Sequence, residues 1–438
     1  MPLLFIGLGI AILFILILVV RMNVFIALLL VSLGIGLSIG MSPLQVLASI
    51  EKGVGSTLGS LALILGLGAM LGSLIAESGA ALVISNRLIN LFGVRHLPWA
   101  MMLTGFIIGI PMFYSVAFLV VIPIIFAVAQ SSKVPLLYAG IPIIAALSVT
   151  HGFLPPHPAP AAIVEFYKAD MELTLLYGFV LAVPTVILSG VFFGSTFKNF
   201  PGGLPANLFK TTQTLPAKPP AFGMAVLSAV TPVVFMGLSA LAKMWLGEKN
   251  TLGQVLQFLG DPVISMLIAV LFATWSLGVK SGKSLREVME QVSDSVKPIA
   301  MILLIIAAGG AFKQVLIDSG TSKYVVDLMK GIHFPPLVMA WSIAAVLRIV
   351  LGSATVAALT AAGIVQPLVA TGGVNAELLV LATGAGSLTC SQVNDTGFWL
   401  FKEYFNLSVA DTLRSWTVME TIVSVVGLGG CLLLDQLV

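Results

Sequence analysis

The sequence predicts an all-α polytopic membrane protein made of two inverted-topology repeats, with broken helices and re-entrant hairpins. Three observations carry that prediction. First, 58% of the 438 residues are hydrophobic and only 9% are charged, whereas soluble domains carry about 25% charged residues. So few charges cannot cover a water-facing surface, and lipid has to cover much of this one. Second, apolar runs long enough to enter a bilayer recur along the chain. Third, glycine and proline interrupt those runs at places that match between the two halves.

A hydrocarbon core about 30 Å thick takes roughly 20 apolar helical residues to cross, so the chain has room for about ten to fourteen crossings. In order, the predicted segments are 3–20, 24–40, 57–76, 98–110, 112–129, 136–150, 173–197, 222–247, 262–278, 298–314, 335–350, 354–370, 377–390 and 415–437. The first has no basic leader and no small-residue cleavage site, and it reads as a retained membrane helix. Several others are short or broken by Gly and Pro, the pattern of half-helices and re-entrant hairpins.

Residues 198–220 are rich in Pro, Gly, Thr and Lys. They divide the chain into an N-terminal transmembrane half at 1–197, a polar connection at 198–221 and a C-terminal half at 222–438. Residues 280–297 mix Lys280, Lys283, Arg286 and Lys297 with Glu287, Glu290 and Asp294, an amphipathic stretch suited to the cytoplasmic surface. Arg21 alone fills the first turn, and a basic turn favours the cytoplasm, which puts the N-terminus outside. The net charge of +3 and the two cysteines, Cys390 and Cys431, point to no nucleic acid, disulfide or metal site, and no cofactor is expected.

The halves echo each other. Residues 68–79 end Ile-Ala-Glu-Ser-Gly and residues 309–320 end Leu-Ile-Asp-Ser-Gly, so that Glu77 and Asp318 correspond. Further on, Leu147-Ser-Val-Thr150 corresponds to Gly386-Ser-Leu-Thr389 at nearly the same offset. With Arg21 and residues 280–297 both cytoplasmic, the two copies run in opposite directions, as in inverted-repeat transporters, where broken helices meet at the substrate site.

Four breaks carry the candidate chemistry. The first is Thr150-His-Gly-Phe-Leu-Pro-Pro-His-Pro-Ala-Pro160. Pro155 and Pro156 end a helix and free carbonyls to face a cavity, and His151 and His157 are able to take a proton near neutral pH or bond a hydroxyl. A plain surface loop is the alternative. The second break, 390–399, holds Asn394 and Asp395. Asp395 suits a proton, a cation or hydroxyl groups, and equally suits the cap of a helix starting near Phe398. The third is Leu347-Arg-Ile-Val-Leu-Gly-Ser-Ala-Thr-Val356. Arg348 lies deep in apolar sequence and matches a carboxylate, or else snorkels or pairs with Asp318 or Asp395. Gly352, Ser353 and Thr355 supply open backbone and hydroxyls, and a half-helix beginning there attracts an anion. The fourth, residues 109–117, holds Tyr114 and Ser115, both placed to line the same cavity, with plain packing at a helix break the favoured reading for Tyr114. Lys313 and Asp318 read as interfacial anchors, and the Gly run at 53–72 as close helix packing.

The motifs at 53–62, 151–158, 309–320, 348–356 and 394–405 resemble those of the bacterial gluconate permease (GntP) family along nearly the whole chain. The resemblance implies a multi-pass inner-membrane proton symporter for gluconate or a related sugar acid, grouped with ion transporters that use inverted repeats and hairpins and are often homodimers. A family relative takes up D-serine. The chain departs from the family at Ser115, where a glutamate is frequent, at Gln392, where histidine is frequent, and at Thr396 and Ala159. His151, His157 and Asp395 remain as proton-coupling candidates. On this reading Arg348, Gly352, Ser353, Thr355, Asn394 and Asp395 hold a small anionic substrate from one side. Thr150, His151, Pro155, Pro156 and Ser115 complete the site, with protons and the lipid bilayer as the other partners. The alternative is another small carboxylate or an amino acid such as D-serine, with a different coupling ion.

An enzyme is disfavoured. The chain has no His-Glu-x-x-His, no phosphate-cradling glycine loop ending in Lys-Ser or Lys-Thr, and no Gly-x-Ser-x-Gly turn. Polar residues confined to matched breaks suit an occluded site better than a lined pore.

Overall fold

Side-chain caps start several helices where the apolar runs begin. Ser42 and Gln45 form a reciprocal capping box with Pro43 in the first turn, and they open a helix longer than the apolar run alone. Asn23, Asp170, Asn375 and Ser284 accept from the first free amides of their own helices, satisfying donors that a helix start leaves unpaired. The computed structural model describes residues 8–9, 11–13, 15–200, 218–246, 250–320, 335–369 and 374–438, and every regular element among them is helical.

The helices are α1 (Val24–Ser38), α2 (Pro43–Glu77), α3 (Ala80–Phe92), α4 (Leu97–Gly109), α5 (Tyr114–Ser132), α6 (Leu136–Phe153), α7 (Pro158–Tyr167) and α8 (Met171–Val186). They continue as α9 (Phe222–Trp245), α10 (Thr251–Gly260), α11 (Pro262–Ala273), α12 (Leu285–Asp294) and α13 (Ala300–Asp318). The last group is α14 (Pro336–Leu351), α15 (Ala354–Val369), α16 (Ala376–Gly386), α17 (Thr396–Tyr404) and α18 (Val418–Leu434). Single π turns extend α8 and α11 and precede α18.

Among the described residues, 8 helices are long and apolar enough to cross a membrane, or 9 if α3 and the segment Val94–Gly109, bent by 107°, form one broken span. The chain is therefore a multi-pass membrane protein. Apolar side chains such as Leu63, Leu271 and Val425 point outward, as a lipid-covered surface requires. At 35 residues and 1.5 Å per residue, α2 is about 52 Å long, well beyond the hydrocarbon thickness.

Most predicted segments fall on these helices. The segment at 3–20 is described only in part, and the connection at 198–221 lies largely outside the described residues. Five helices fall outside the predicted membrane segments: α12, on the stretch read as amphipathic, α17, at the helix start expected near Phe398, and three more. α3 forms the bent pair, α7 follows directly on the proline-rich break, and α10 packs on α9. The stretch expected to be amphipathic is so: α12 buries Val288 and Val292, keeps the Arg286–Glu290 and Asp294–Lys297 pairs in water, and is pinned to α2 by Gln291, which donates to the Ser73 carbonyl at 3.1 Å.

The order of breaks recurs. Helix α4 stops at Gly109 and α5 starts at Tyr114; α14 stops at Leu351 and α15 starts at Ala354. Helix α6 gives way to α7 across 154–157, and α16 to α17 across 387–395. The packing matches as well, since α4 lies on α6 and α14 lies on α16. The halves also interlock, because α7 packs on both α15 and α16. Close approach of backbones locks α2 to α13: a Cβ on Gly53 would meet the Gly310 carbonyl, and one on Gly310 would meet the Thr57 hydroxyl.

Candidate functional site

The breaks meet around one cavity of about 390 Å³. Its wall includes the first residues of four helices: Tyr114 and Ser115 of α5, Pro158 of α7, Ala354 and Thr355 of α15, and Thr396 and Gly397 of α17. Each helix start carries unpaired amides and partial positive charge, so four of them at one cavity favour an anion. Helix α5 has no side-chain cap, which leaves its first amides for a ligand; α7 has none either, but Pro158 and Pro160 carry no N–H, so its first turn offers the Ala159 amide alone.

Arg348 lies in the last turn of α14 and is 3% exposed. Its Nη2 donates to Asp395 Oδ2 at 2.5 Å, and its Nη1 donates to the Gly352 carbonyl. Its Nε is buried without a partner among the described residues. Of the two carboxylates weighed as partners, Asp395 is the one used. Asp318 instead accepts from Ser49 of α2 at 2.8 Å and from Gln314 at 2.9 Å. Arg348 does not snorkel to water.

Asp395 has several simultaneous jobs. Its Oδ1 accepts from the Gly397 amide at 2.9 Å and caps α17. Its Oδ2 accepts from Ser391 at 2.5 Å as well as from Arg348. The Trp416 indole, in the π turn before α18, donates to Ser391 at 2.7 Å. A chain of hydrogen bonds therefore runs Trp416, Ser391, Asp395, Arg348, and it ties α14, α17 and the approach to α18 around the cavity. Asn394 donates to the Ile349 and Val350 carbonyls at 2.8 and 3.1 Å, satisfying the frayed end of α14. Gln392 makes a longer contact to the same Ile349 carbonyl at 3.3 Å and does not line the cavity. Gly352 ends α14 at a φ of +74° and packs so close to Asn394 that a Cβ would strike its carbonyl.

In the other half, His151 lines the cavity and its Nδ1 is buried without a partner. His157 is turned inward: its Nε2 lies 2.9 Å from the Gly109 carbonyl, at the end of α4, and its ring meets His151 edge to face at 5.5 Å between centroids. Thr150 donates to the Leu147 carbonyl at 2.9 Å. Thr150, Pro155, Pro156 and His157 are buried and do not line the cavity. They shape the α6–α7 break instead, because prolines and a histidine bonded to a free carbonyl hold the turn that sets His151 and Pro158 in place. The segment is no surface loop. Ser115, Ser353 and Thr355 do line the wall.

Sequence reasoning missed three polar wall residues, Ser148, Trp416 and Glu420, and favoured plain packing over the cavity for a fourth. Tyr114, assigned to packing, carries a buried hydroxyl near Ser148 that makes no sound hydrogen bond among the described residues. Ser148 appeared only as part of a repeat. Trp416 had no signal in the sequence. Glu420 is 2% exposed within α18, and a lone acid in a membrane helix is itself a signal. It lies in a continuous helix, away from the Gly and Pro breaks that mark the rest of the site. Lys313 is also corrected: it is 6% exposed and sits 4.5 Å from the Phe166 ring, a buried cation on an aromatic face and not an interfacial anchor. Among the described residues no group of three or more His, Cys, Asp and Glu is placed to hold a metal.

Fold and site together define a polytopic helical membrane protein whose broken helices surround a polar cavity suited to an anion. The model of the GntP family permeases matches residues 1–438, and the chain belongs to that family. It is 51% identical over 399 residues to the high-affinity gluconate transporter of Escherichia coli (strain K12), covering 91% of each chain. It is 47% identical over 396 residues to the Gnt-II system L-idonate transporter of the same organism, covering 90% of each. In architecture it is similar to the Alcanivorax borkumensis YdaH transporter, with a TM-score of 0.65 over 94% of this chain and 97% of that one at 16% identity. At that identity the likeness speaks of the fold.

Proposed function

We propose that the protein is a secondary active transporter that carries gluconate or a closely related sugar acid across the bacterial inner membrane by proton symport. One observation carries the reading furthest. Four polar atoms of cavity-lining residues, Arg348 Nε, Tyr114 Oη, His151 Nδ1 and Glu420 Oε2, are buried without protein partners among the described residues. Buried polar groups are nearly always paired in native proteins, so four of them at one cavity call for a ligand rich in oxygen. A polyhydroxy carboxylate meets that need. Its carboxylate takes Arg348 Nε and the amides at the start of α15, and its hydroxyls take Tyr114, His151, Ser353 and Thr355. The names of the relatives support the same substrate class.

The arrangement also supplies a mechanism. Arg348 is shared between Asp395 and the incoming carboxylate, so binding loosens a bond that joins α14 to the start of α17. Loss of that tie lets the segments on either side of the cavity move, which alternating access requires. Asp395, His151 and His157 are the proton-coupling candidates read from the sequence, and two of them are already engaged, Asp395 by Arg348 and His157 by the Gly109 carbonyl. The chain divides on this reading into repeats at 1–197 and 222–438, and the recurring order of breaks supports the division.

The test is uptake of labelled gluconate by proteoliposomes under an imposed proton gradient, with a sodium gradient and D-serine as comparisons. Saturable, proton-dependent uptake that D-serine leaves untouched supports the reading. Uptake driven by sodium alone, or none by folded protein, overturns it.

A further inference from the structure

Glu420 is the one carboxylate lining the central cavity, among the described residues, that no cation holds. Ser148 Oγ donates to its Oε1 at 2.5 Å, and its Oε2 is buried with no partner. Asp395, on the same wall, is fully engaged by Arg348, Ser391 and the Gly397 amide. Resting on the symport reading above, we propose that Glu420 is the proton carrier, with Ser148 as the residue that orients it.

The chemistry follows from the two oxygens. Ser148 has one O–H, and it is spent on Oε1. A proton bound to the carboxyl therefore sits on Oε2, the oxygen without a partner. An ionised carboxylate in this position would be buried with no counter-charge, an expensive state in a low-dielectric interior. Protonation removes that cost and turns Oε2 from an acceptor into a donor, able to bond the substrate. Proton and anion then enter together, so the net charge of the site is the same with and without its cargo. When the cavity opens to the other side, water solvates the carboxylate and the proton is released there. No covalent bond forms.

The groups around Glu420 fit that role. Tyr114 faces it from α5 and His151 lines the same cavity from α6. Arg348 from α14 and Asp395 before α17 act on it through space with opposite sign, and their direct bond to each other makes them a nearly neutral pair as seen from Glu420. Helix α18 carries no other Asp, Glu, Lys or Arg. The acids that start α8 and α16 are committed elsewhere, Glu172 to Lys243 and Glu377 to the Asp170 amide. Among the described residues, then, nothing else near the cavity fixes the protonation state of Glu420.

The experiment compares wild type with Glu420→Gln in proteoliposomes loaded with a pH-sensitive dye and given labelled gluconate. Wild type should take up protons with gluconate and accumulate it under a proton gradient. The E420Q protein should lose both by a hundredfold or more, while gluconate exchange at equal concentrations falls far less. Gradient-driven accumulation by E420Q overturns the proposal. So does loss of exchange in folded E420Q, which would make Glu420 a substrate ligand only. If E420Q does not fold, Ser148→Ala decides: it should shift the pH midpoint of gluconate-driven proton uptake, and an unmoved midpoint overturns the assignment. If wild type ignores gluconate, the sugar-acid reading fails separately, and infrared difference spectroscopy across a pH step tests Glu420 alone. A carbonyl band of a buried protonated carboxyl should appear in wild type and vanish in E420Q; its absence from wild type overturns the proposal.

Discussion

Arg348 Nη2 lies 2.5 Å from Asp395 Oδ2, and the two residues come from different interruptions of the helical framework, one at the end of α14 and one at the start of α17. The pair is structural, because it joins two segments, and it is exposed to function, because both residues line the cavity. Those two roles separate on mutation.

Arg348→Gln should weaken gluconate binding by roughly 10- to 150-fold, the worth of about 1.5–3 kcal/mol for a hydrogen bond to a charged group. It should also destabilise the protein, since Asp395 loses its cation. Adding Asp395→Asn should restore much of the thermal stability in detergent without restoring binding. Binding measured by isothermal titration and unfolding followed by intrinsic fluorescence separate the two. Recovery of binding in the double variant would refute a role for Arg348 in holding the carboxylate.

Gly352→Ala places a side chain at a φ of +74° against the Asn394 carbonyl. The backbone alone costs about 1–2 kcal/mol, and the overlap adds to it. Gly40→Ala is the control, at a φ of +99° with nothing within 4 Å of the added carbon. Thermal unfolding should fall clearly further for Gly352→Ala, and transport should fall only there.

Gly53→Leu should separate α2 from α13, because the new side chain projects onto the backbone at Gly310 and Ala311. Overpacking of a close contact costs about 1–3 kcal/mol or more. The expected outcome is a loss of monodisperse protein on gel filtration. Gly55→Leu, on the same helix with no neighbour within 4 Å, should leave it unchanged.

Asp170, just ahead of α8, gives a pH signature. Partial burial pushes its carboxyl up, but the Lys243 ammonium at 2.8 Å and the Glu172 and Leu173 amides outweigh that and hold it below the usual carboxylate value. A depressed folded value means that its stabilising contribution is complete above the unfolded value of about 4 and is lost as the pH falls through the lower folded one. Asp170→Asn should therefore lower the unfolding temperature at neutral pH, and the difference from wild type should shrink as the medium is acidified below about pH 4. A difference that is constant down to acid pH would show that the charge plays no part.

The extent of the helices was largely legible, since apolar runs and Gly or Pro breaks act locally. The predicted segments at 136–150 and 262–278, for instance, lie within α6 and along α11 with its π turn. Helix α3 was missed because Asn86, Arg87 and Asn90 make it look polar, while only one of its faces packs against the protein. At the site, Arg348, Asn394 and Asp395 were readable because a charge or an amide in apolar sequence is rare and costly. Thr150, Pro155 and Pro156 were assigned to the substrate site and His157 to proton coupling, and all four lie in the break behind the cavity, because a sequence shows that a helix is interrupted but not which way its side chains face.

The sequence by itself determined that this is a helical membrane protein with interrupted helices in matched positions, because composition, apolar run length and proline act through the backbone of their own segment. Only the tertiary structure decided which polar residues share a cavity. The bond between Arg348 and Asp395, 47 residues apart, and the contact between Ser148 and Glu420, 272 residues apart, depend on how helices pack. Packing of apolar surfaces is non-directional and leaves no local mark on the residues it brings together.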